Sequence, residues 1–203
     1  MITRQTAIEN LRKHLGSDLL PLAESLGISV VVNGKLNKGW KGMVLEKLAG
    51  LSNNSSQAPN GLGFELKSTA YYMVKGRWRP KETMAITMIN PTLLVETPFY
   101  ESHCWEKLKS IVFCAVSWDG HFNTSSQILK VTSFDFLTNR VLLDEIEADY
   151  EFIRNKCAIN GFEALTGADG KWIQARTKGA GHGSTSRAFF ARKDLLNIIL
   201  QFD

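Results

Sequence analysis

The sequence predicts an α/β protein in which a central mixed sheet is covered by helices. Three observations predict it. Apolar runs of strand length, rich in β-branched and aromatic residues, occur at residues 84–89, 110–116 and 128–134. Stretches with apolar residues at helical spacing occur at 5–15, 40–49 and 139–156. The two kinds are interleaved without the strict alternation of a βαβ array, which argues for a mixed rather than an all-parallel sheet. The chain has 203 residues, of which 44% are hydrophobic and 22% charged. That is enough for one ordinary globular core, and we expect a single domain over 1–203.

In order, residues 5–15 read as a short amphipathic helix stopped by Gly16. Residues 18–26 read as a second, with Pro21 in its first turn and Gly27 as its stop. Met43, Val44, Leu45 and Leu48 make the apolar stripe of a helix over 40–49. Residues 52–61, Ser-Asn-Asn-Ser-Ser-Gln-Ala-Pro-Asn-Gly, have the composition of a loop. Leu62 to Thr69 alternates like a strand, and the runs at 84–89, 110–116 and 128–134 supply three more. A longer helix follows over 139–156, with Thr138 as its expected N-cap. Residues 171–178 alternate as a strand, and 194–202 close the chain as a helix. Internal repeats and low-complexity linkers are absent.

The formal charge is +4, and it is unevenly spread. Between Lys35 and Lys81 there are nine lysines or arginines against two acids, Glu46 and Glu65. Between Lys171 and Lys193 there are six and no acid. Asp135 to Glu151 runs the other way, with six acids and one arginine. Two basic segments far apart in sequence suit a phosphate backbone, although a solvated surface accounts for such runs equally well. No apolar run approaches the roughly 18 residues that a membrane span requires. The N-terminus lacks a basic-then-apolar secretory pattern. Cys104, Cys114 and Cys157 are odd in number and have no paired spacing, which reads as reduced thiols in a cytoplasmic protein.

The sharpest chemistry lies in Pro59-Asn-Gly-Leu-Gly-Phe-Glu-Leu-Lys67. Successive strand residues point to opposite faces. Leu62, Phe64 and Leu66 are therefore expected to face a core, with Glu65 and Lys67 together on the other side. A carboxylate and an ammonium two residues apart on a strand suit phosphodiester hydrolysis. The carboxylate helps cage Mg2+, and the lysine stabilises developing charge or orients the nucleophile. The usual third member is an aspartate a few residues upstream, after a proline. Here that position is Asn60. Taken alone, Glu65-x-Lys67 is more often an ordinary exposed pair.

A wider set of blocks changes that balance. Lys38-Gly-Trp-Lys-Gly-Met-Val-Leu-Glu46 and Gly63-Phe-Glu-Leu-Lys67-Ser-Thr resemble the MutH family of DNA endonucleases. That family, part of the PD-(D/E)xK superfamily, comprises the mismatch-repair nickase and related type II restriction enzymes. The resemblance continues in Arg79-Pro-Lys-Glu-Thr83, Glu101-Ser-His-Cys-Trp-Glu-Lys-Leu-Lys109, Asp169-Gly-Lys-Trp-Ile-Gln-Ala-Arg-Thr-Lys178 and Phe189-Phe-Ala-Arg-Lys193. The blocks occur in family order over roughly residues 15–200. The resemblance implies a restriction-endonuclease-like fold with a DNA-binding cleft, a double-stranded DNA substrate and a Mg2+ cofactor. It places Glu65 and Lys67 on the family's catalytic Glu-x-Lys and Glu46 on a helical glutamate of the same active site. Asn60 falls near the metal-binding aspartate, so Asn60 and Glu65 are the expected metal ligands. Two departures concern this position. The stretch from it to Glu65 is shorter than in the nickase, and an amide is a poorer ligand than a carboxylate for a hard cation. An engineered Asp→Asn substitution that leaves substrate uncut, or a naturally disabled relative, would each account for it.

The resemblance also places base recognition on the strand from Lys171. Trp172, Gln174, Arg176 and Lys178 are expected on one face, and Ile173 and Ala175 on the other. Arginine reads guanine and glutamine reads adenine in the major groove, so Arg176 is the leading reader with Gln174 or Lys178 assisting. Lys38, Lys107 and Lys109 are expected at the DNA, the last two on its backbone. His182, in the glycine-rich segment 179–186, is expected near DNA, as is Phe190; His103 reads as structural. Thr177 stands where the nickase carries proline, and Phe190 where it carries tyrosine. These differences favour a sequence-specific type II restriction endonuclease. A mismatch-repair nickase acting at GATC and recruited by repair proteins is the alternative, and a non-catalytic DNA-binding relative the third reading. Either enzyme could work as a monomer or a homodimer.

Overall fold

The computed structural model describes residues 2–51, 61–120, 125–178 and 185–202. It divides into two compact units. The first comprises Met1–Glu82, Ile111–Phe134 and Ile199–Asp203, and the second Thr83–Ser110 and Asp135–Ile198.

The first unit opens with α1 (Arg4–Arg12) and α2 (Leu19–Ser25). Both begin at a capping side chain. Thr3 accepts from the Thr6 amide, and Asp18 accepts from the Leu20 amide. A small hairpin of β1 (Val31–Val32) and β2 (Lys35–Leu36) leads to α3 (Trp40–Ala49), which ends at Gly50 in the left-handed conformation. The sheet that follows has the order β4–β3–β6–β7. Its strands are β3 (Glu65–Val74), β4 (Arg77–Pro80), β6 (Ser110–Ser117) and β7 (Ile128–Asp135). β3 and β4 are antiparallel, whereas β3 and β6 are parallel, with Glu65 opposite Ile111 and Tyr71 opposite Ser117. The sheet is therefore mixed, as expected.

One face of this sheet is sealed by the three helices. Phe64, Leu66, Val112, Cys114, Val116, Ile128 and Val131 pack with Leu11, Leu19, Trp40, Val44 and Leu45 in one buried cluster. Each large apolar side chain so buried contributes roughly 1.5–3 kcal/mol. Tyr71 and Phe113 lie on the other face in edge contact, and Phe202 packs on Tyr71 with ring centres 5.3 Å apart. Burial pushes the Cys114 thiol up to about 12, consistent with an inert core thiol rather than a reactive one.

The second unit carries an antiparallel sheet in the order β5–β9–β8, formed by β5 (Met84–Met88), β9 (Arg187–Ala191) and β8 (Ile173–Thr177). Around it lie α4 (Pro91–Glu96), α5 (His103–Leu108), α6 (Arg140–Asn160) and α7 (Lys193–Leu200). Tyr150 of α6 stacks on Phe189 of the central strand with centroids 5.3 Å apart.

Several sequence expectations are corrected in detail. Leu62 is exposed, because the strand begins only at Glu65 and Gly63, at φ 73°, breaks the alternation before it. The N-cap of α6 is Asn139, whose side chain accepts from the Leu142 amide; the Thr138 hydroxyl donates instead to the Asp135 carbonyl. β4, β9, α4 and α5 were not assigned from sequence patterning. The loop expected over 52–61 lies outside the described residues except for Gly61.

Asp18 joins helix capping to the sheet edge, since its Oδ1 accepts from the amides of Leu20 (3.0 Å) and Ser126 (3.1 Å). Burial raises its carboxyl pKa, but the two amide donors outweigh burial and hold it below its ordinary value. A folded-state pKa below the unfolded one means that the carboxylate stabilises the fold fully above the unfolded value and loses this as pH falls through the folded value. Asp18→Ala is expected to cost about 1 kcal/mol at pH 7. The gap from the parent protein should narrow below about pH 4. Urea melts at pH 7 and pH 3 check both the size and the sign.

Candidate active site and nucleic-acid interface

The approach to β3 is built on two glycines. The Gly61 amide donates to the Phe64 carbonyl (3.1 Å), and the Leu62 amide donates to the Ile2 carbonyl (3.2 Å). A side chain at Gly61 would collide with the Phe64 ring, and Gly63 has positive φ. This turn lets Phe64 plug the core while the chain straightens into β3 at Glu65.

From there, alternation gives the predicted result. Leu66 enters the core, and Glu65 and Lys67 project together from the other face. Lys67 Nζ lies 2.9 Å from Glu65 Oε1, with side-chain exposures of 17% and 4%. The glutamate is thus withdrawn from solvent while the ammonium keeps partial access. Glu46 is half-buried on α3, the helix that packs on the Leu66 side of the sheet. The structure joins Glu65 to Lys67 and sets Glu46 on the neighbouring helix. Asn60 lies outside the described residues.

Among the described residues, no group of three or more His, Cys, Asp or Glu is placed to hold a metal ion. Glu65 offers a hard carboxylate oxygen of the kind Mg2+ prefers.

β8 agrees with expectation at its end and departs from it at its start. Arg176, Thr177 and Lys178 are exposed. The Arg176 guanidinium lies over the Phe190 ring, 5.1 Å from its centroid, and Nη1 is 3.4 Å from Thr83 Oγ1. This contact is possible because Gln174 pairs with Phe190 and Arg176 with Ala188, so all four share one face. Gln174, however, is buried, with its amide oxygen facing Gly167, so it is not displayed as predicted. Trp172 precedes the strand, and its indole N–H donates to Glu145 on α6.

The basic residues are sorted in the same way. Lys171 pairs with Glu145 at 2.8 Å; Arg187 is buried against the Glu163 and Leu165 carbonyls; Arg192 donates to the Gly167 carbonyl. Three of the six basic residues between 171 and 193 therefore hold the fold together. The prediction for Lys107 is also corrected, because α5 turns its side chain into a buried position. Lys109 is partly exposed and pairs with Glu106 at 2.8 Å. Lys38 is exposed on the turn before α3. His182 lies outside the described residues. Sequence reasoning missed two carboxylates that organise β8, Asp149 and Glu145. Their signal was present as the dense acidic run over 135–151, here serving a specific loop rather than solvent.

A mixed sheet flanked by helices, with Glu65 and Lys67 side by side on a strand that runs parallel to its neighbour, defines a restriction-endonuclease-like α/β protein. Residues 49–142 match the family model described as MutH, DNA mismatch repair enzyme MutH. Curated relatives extend the match. The DNA mismatch repair protein MutH of Escherichia coli is 25% identical over 192 residues, covering 94% of this chain and 82% of that protein. The MutH protein of Shewanella woodyi is 27% identical over 176 residues, covering 85% and 74%. That of Pasteurella multocida is 22% identical over 199 residues, covering 97% and 88%. Over these spans the chain is similar to the MutH-type endonucleases. The family model spans Glu65, Lys67, Lys107 and Lys109, while the relatives' alignments cover most of the chain.

Lys67→Met strands the Glu65 carboxylate without its ammonium at a site almost closed to water. It is expected to cost about 3 kcal/mol. Adding Glu65→Gln to Lys67→Met should recover most of that loss, as a double-mutant cycle in denaturant will show.

Proposed function

We propose that this chain is a DNA endonuclease of the MutH kind, a mismatch-repair-type strand nickase. The observation that carries the reading is the Glu65–Lys67 pair, held 2.9 Å apart on β3 within the segment that matches the family model. Lys67 supplies a fixed positive charge where an attacked phosphate gathers negative charge. Glu65 supplies a carboxylate to a divalent cation and, by its ion pair, orients the Lys67 ammonium. Mg2+, when bound, supplies charge neutralisation at the phosphate. The cation would draw on Glu65 and on position 60, with Glu46 supporting the same site from α3. Arg176 would read a base from the exposed end of β8 with Phe190 beneath it; Trp172, Lys178 and His182 are further candidates. Lys38 and Lys109 would act on the phosphate backbone.

A second reading, a type II restriction endonuclease, is favoured by the surroundings of Arg176. Its guanidinium rests on Phe190 and is followed by Thr177, where the nickase pattern has tyrosine and proline. Mismatch-repair proteins are partners under the first reading only.

Asn60→Asp distinguishes these readings. With Mg2+ and supercoiled plasmid, a nickase yields open circles, stimulated by repair proteins; a restriction enzyme yields linear DNA unaided. Metal-enhanced binding without scission would leave a DNA-binding relative, and neither binding nor scission would overturn the proposal. Separately, Arg176→Ala is expected to lower discrimination between the preferred and other duplexes by about 1–3 kcal/mol. Overall affinity for unrelated DNA should hardly change. Competition binding against a randomised duplex pool measures both.

A further inference from the structure

Asp149 sits on the inner face of α6 and is 8% exposed. A carboxylate so placed is normally matched to a lysine or arginine. Asp149 instead accepts three successive backbone amides: Lys171 on Oδ1 at 2.7 Å, and Trp172 and Ile173 on Oδ2 at 2.6 and 3.0 Å. Four residues earlier on the same helix, Glu145 accepts from Lys171 Nζ (2.8 Å) and from the Trp172 indole N–H. Gly170 completes the arrangement. It has φ 77°, and a side chain there would collide with the Ile173 carbonyl and press on the Asp149 carboxylate. The chain is thus wrapped around one helix carboxylate immediately before β8 begins.

Ile173, the last of the three amides, is the first residue of β8 and pairs with Ala191. Arg176 lies three residues on, roughly 10 Å along the strand. A strand has side-chain period two, so a slip of one residue would turn Arg176 towards the packed face and Ala175 outwards. Ile173 and Phe189 are packed on that face, but Ala175, Ala188 and Ala191 beside them are small and leave part of the strand loosely keyed. Three charge-assisted hydrogen bonds at the entry point oppose the slip directly.

We propose that Asp149, assisted by Glu145, is a positioning residue for base recognition: by clamping the amides of 171–173 it sets the register in which β8 presents Arg176. The inference rests on the reading of β8 as a DNA-reading strand.

The test is the Asp149→Asn variant of the full chain. Asparagine keeps the shape but turns an N–H2 group towards amide donors. Binding to a randomised duplex pool without Mg2+ gives two numbers, the preference for the selected sequence and the affinity for unrelated DNA. Asp149→Asn is expected to lose about tenfold in preference, with unrelated affinity within about twofold. Its amides at 171–173 should exchange faster with solvent. Ile153→Ala, at a fully buried position of the same helix, serves as a control for lost stability and should keep the preference at equal fraction folded. Unchanged preference and exchange in Asp149→Asn, or an equal loss of preference in the control, overturns the proposal. Should Asp149→Asn not fold, Glu145→Gln at its more exposed site is expected to lower preference two- to threefold, and no loss there overturns it. A parent protein that selects no sequence removes the DNA-reading premise, which the exchange measurement distinguishes from failure of the clamp.

Discussion

The parallel pairing of β3 with β6 is the constraint on which the candidate catalytic pair depends. A parallel neighbour from 65 to 71 holds β3 straight and fully bonded on that side. One face is then closed by α1, α2 and α3 through Phe64, Leu66 and the matching residues of β6. With that face committed to the core, Glu65 and Lys67 have no alternative to the other. Their separation follows from the pleat rather than from a loop, so the pair is preorganised instead of assembled on binding. The two glycines before β3 serve the same end, bringing the chain onto the strand without displacing Phe64.

The second unit solves a similar problem by different means. β8 is short, with Ile173 and Ala175 on its packed face and Phe189 opposite on its partner strand. Polar contacts add to what packing supplies. Asp149 and Glu145 anchor the segment before β8 to α6, and Arg187 and Arg192 tie β9 and the residue after it to the carbonyls of the 163–169 segment. The acidic run over 135–151 and the basic run over 171–193 both contribute to this network, and Lys171–Glu145 joins them. What remains exposed on the strand is the Arg176–Lys178 end, with Phe190 under the guanidinium.

Much of this protein was legible in its sequence. Local periodicity marked α1, α2, α3 and α6 because each buries one side, and β6 stood out as an unbroken apolar run because it is buried on both faces. The Glu65–Lys67 pairing was legible for the same reason: strand alternation is a local rule that holds wherever a strand forms. β9 was not, because Arg187-Ala-Phe-Phe-Ala191 is central in its sheet and buried on nearly every side, which erases alternation. Gln174 alternated correctly but proved buried, with its amide oxygen against Gly167 of the preceding loop, a contact that alternation does not report. Lys107 turned inward on a helix too short to show a period. The sequence by itself determined the class of fold, the resemblance to MutH-type endonucleases and the two residues that share a face of β3. Only the tertiary structure decided which charges serve the fold and which remain exposed, because that depends on partners tens of residues away, as Asp149 is from Ile173.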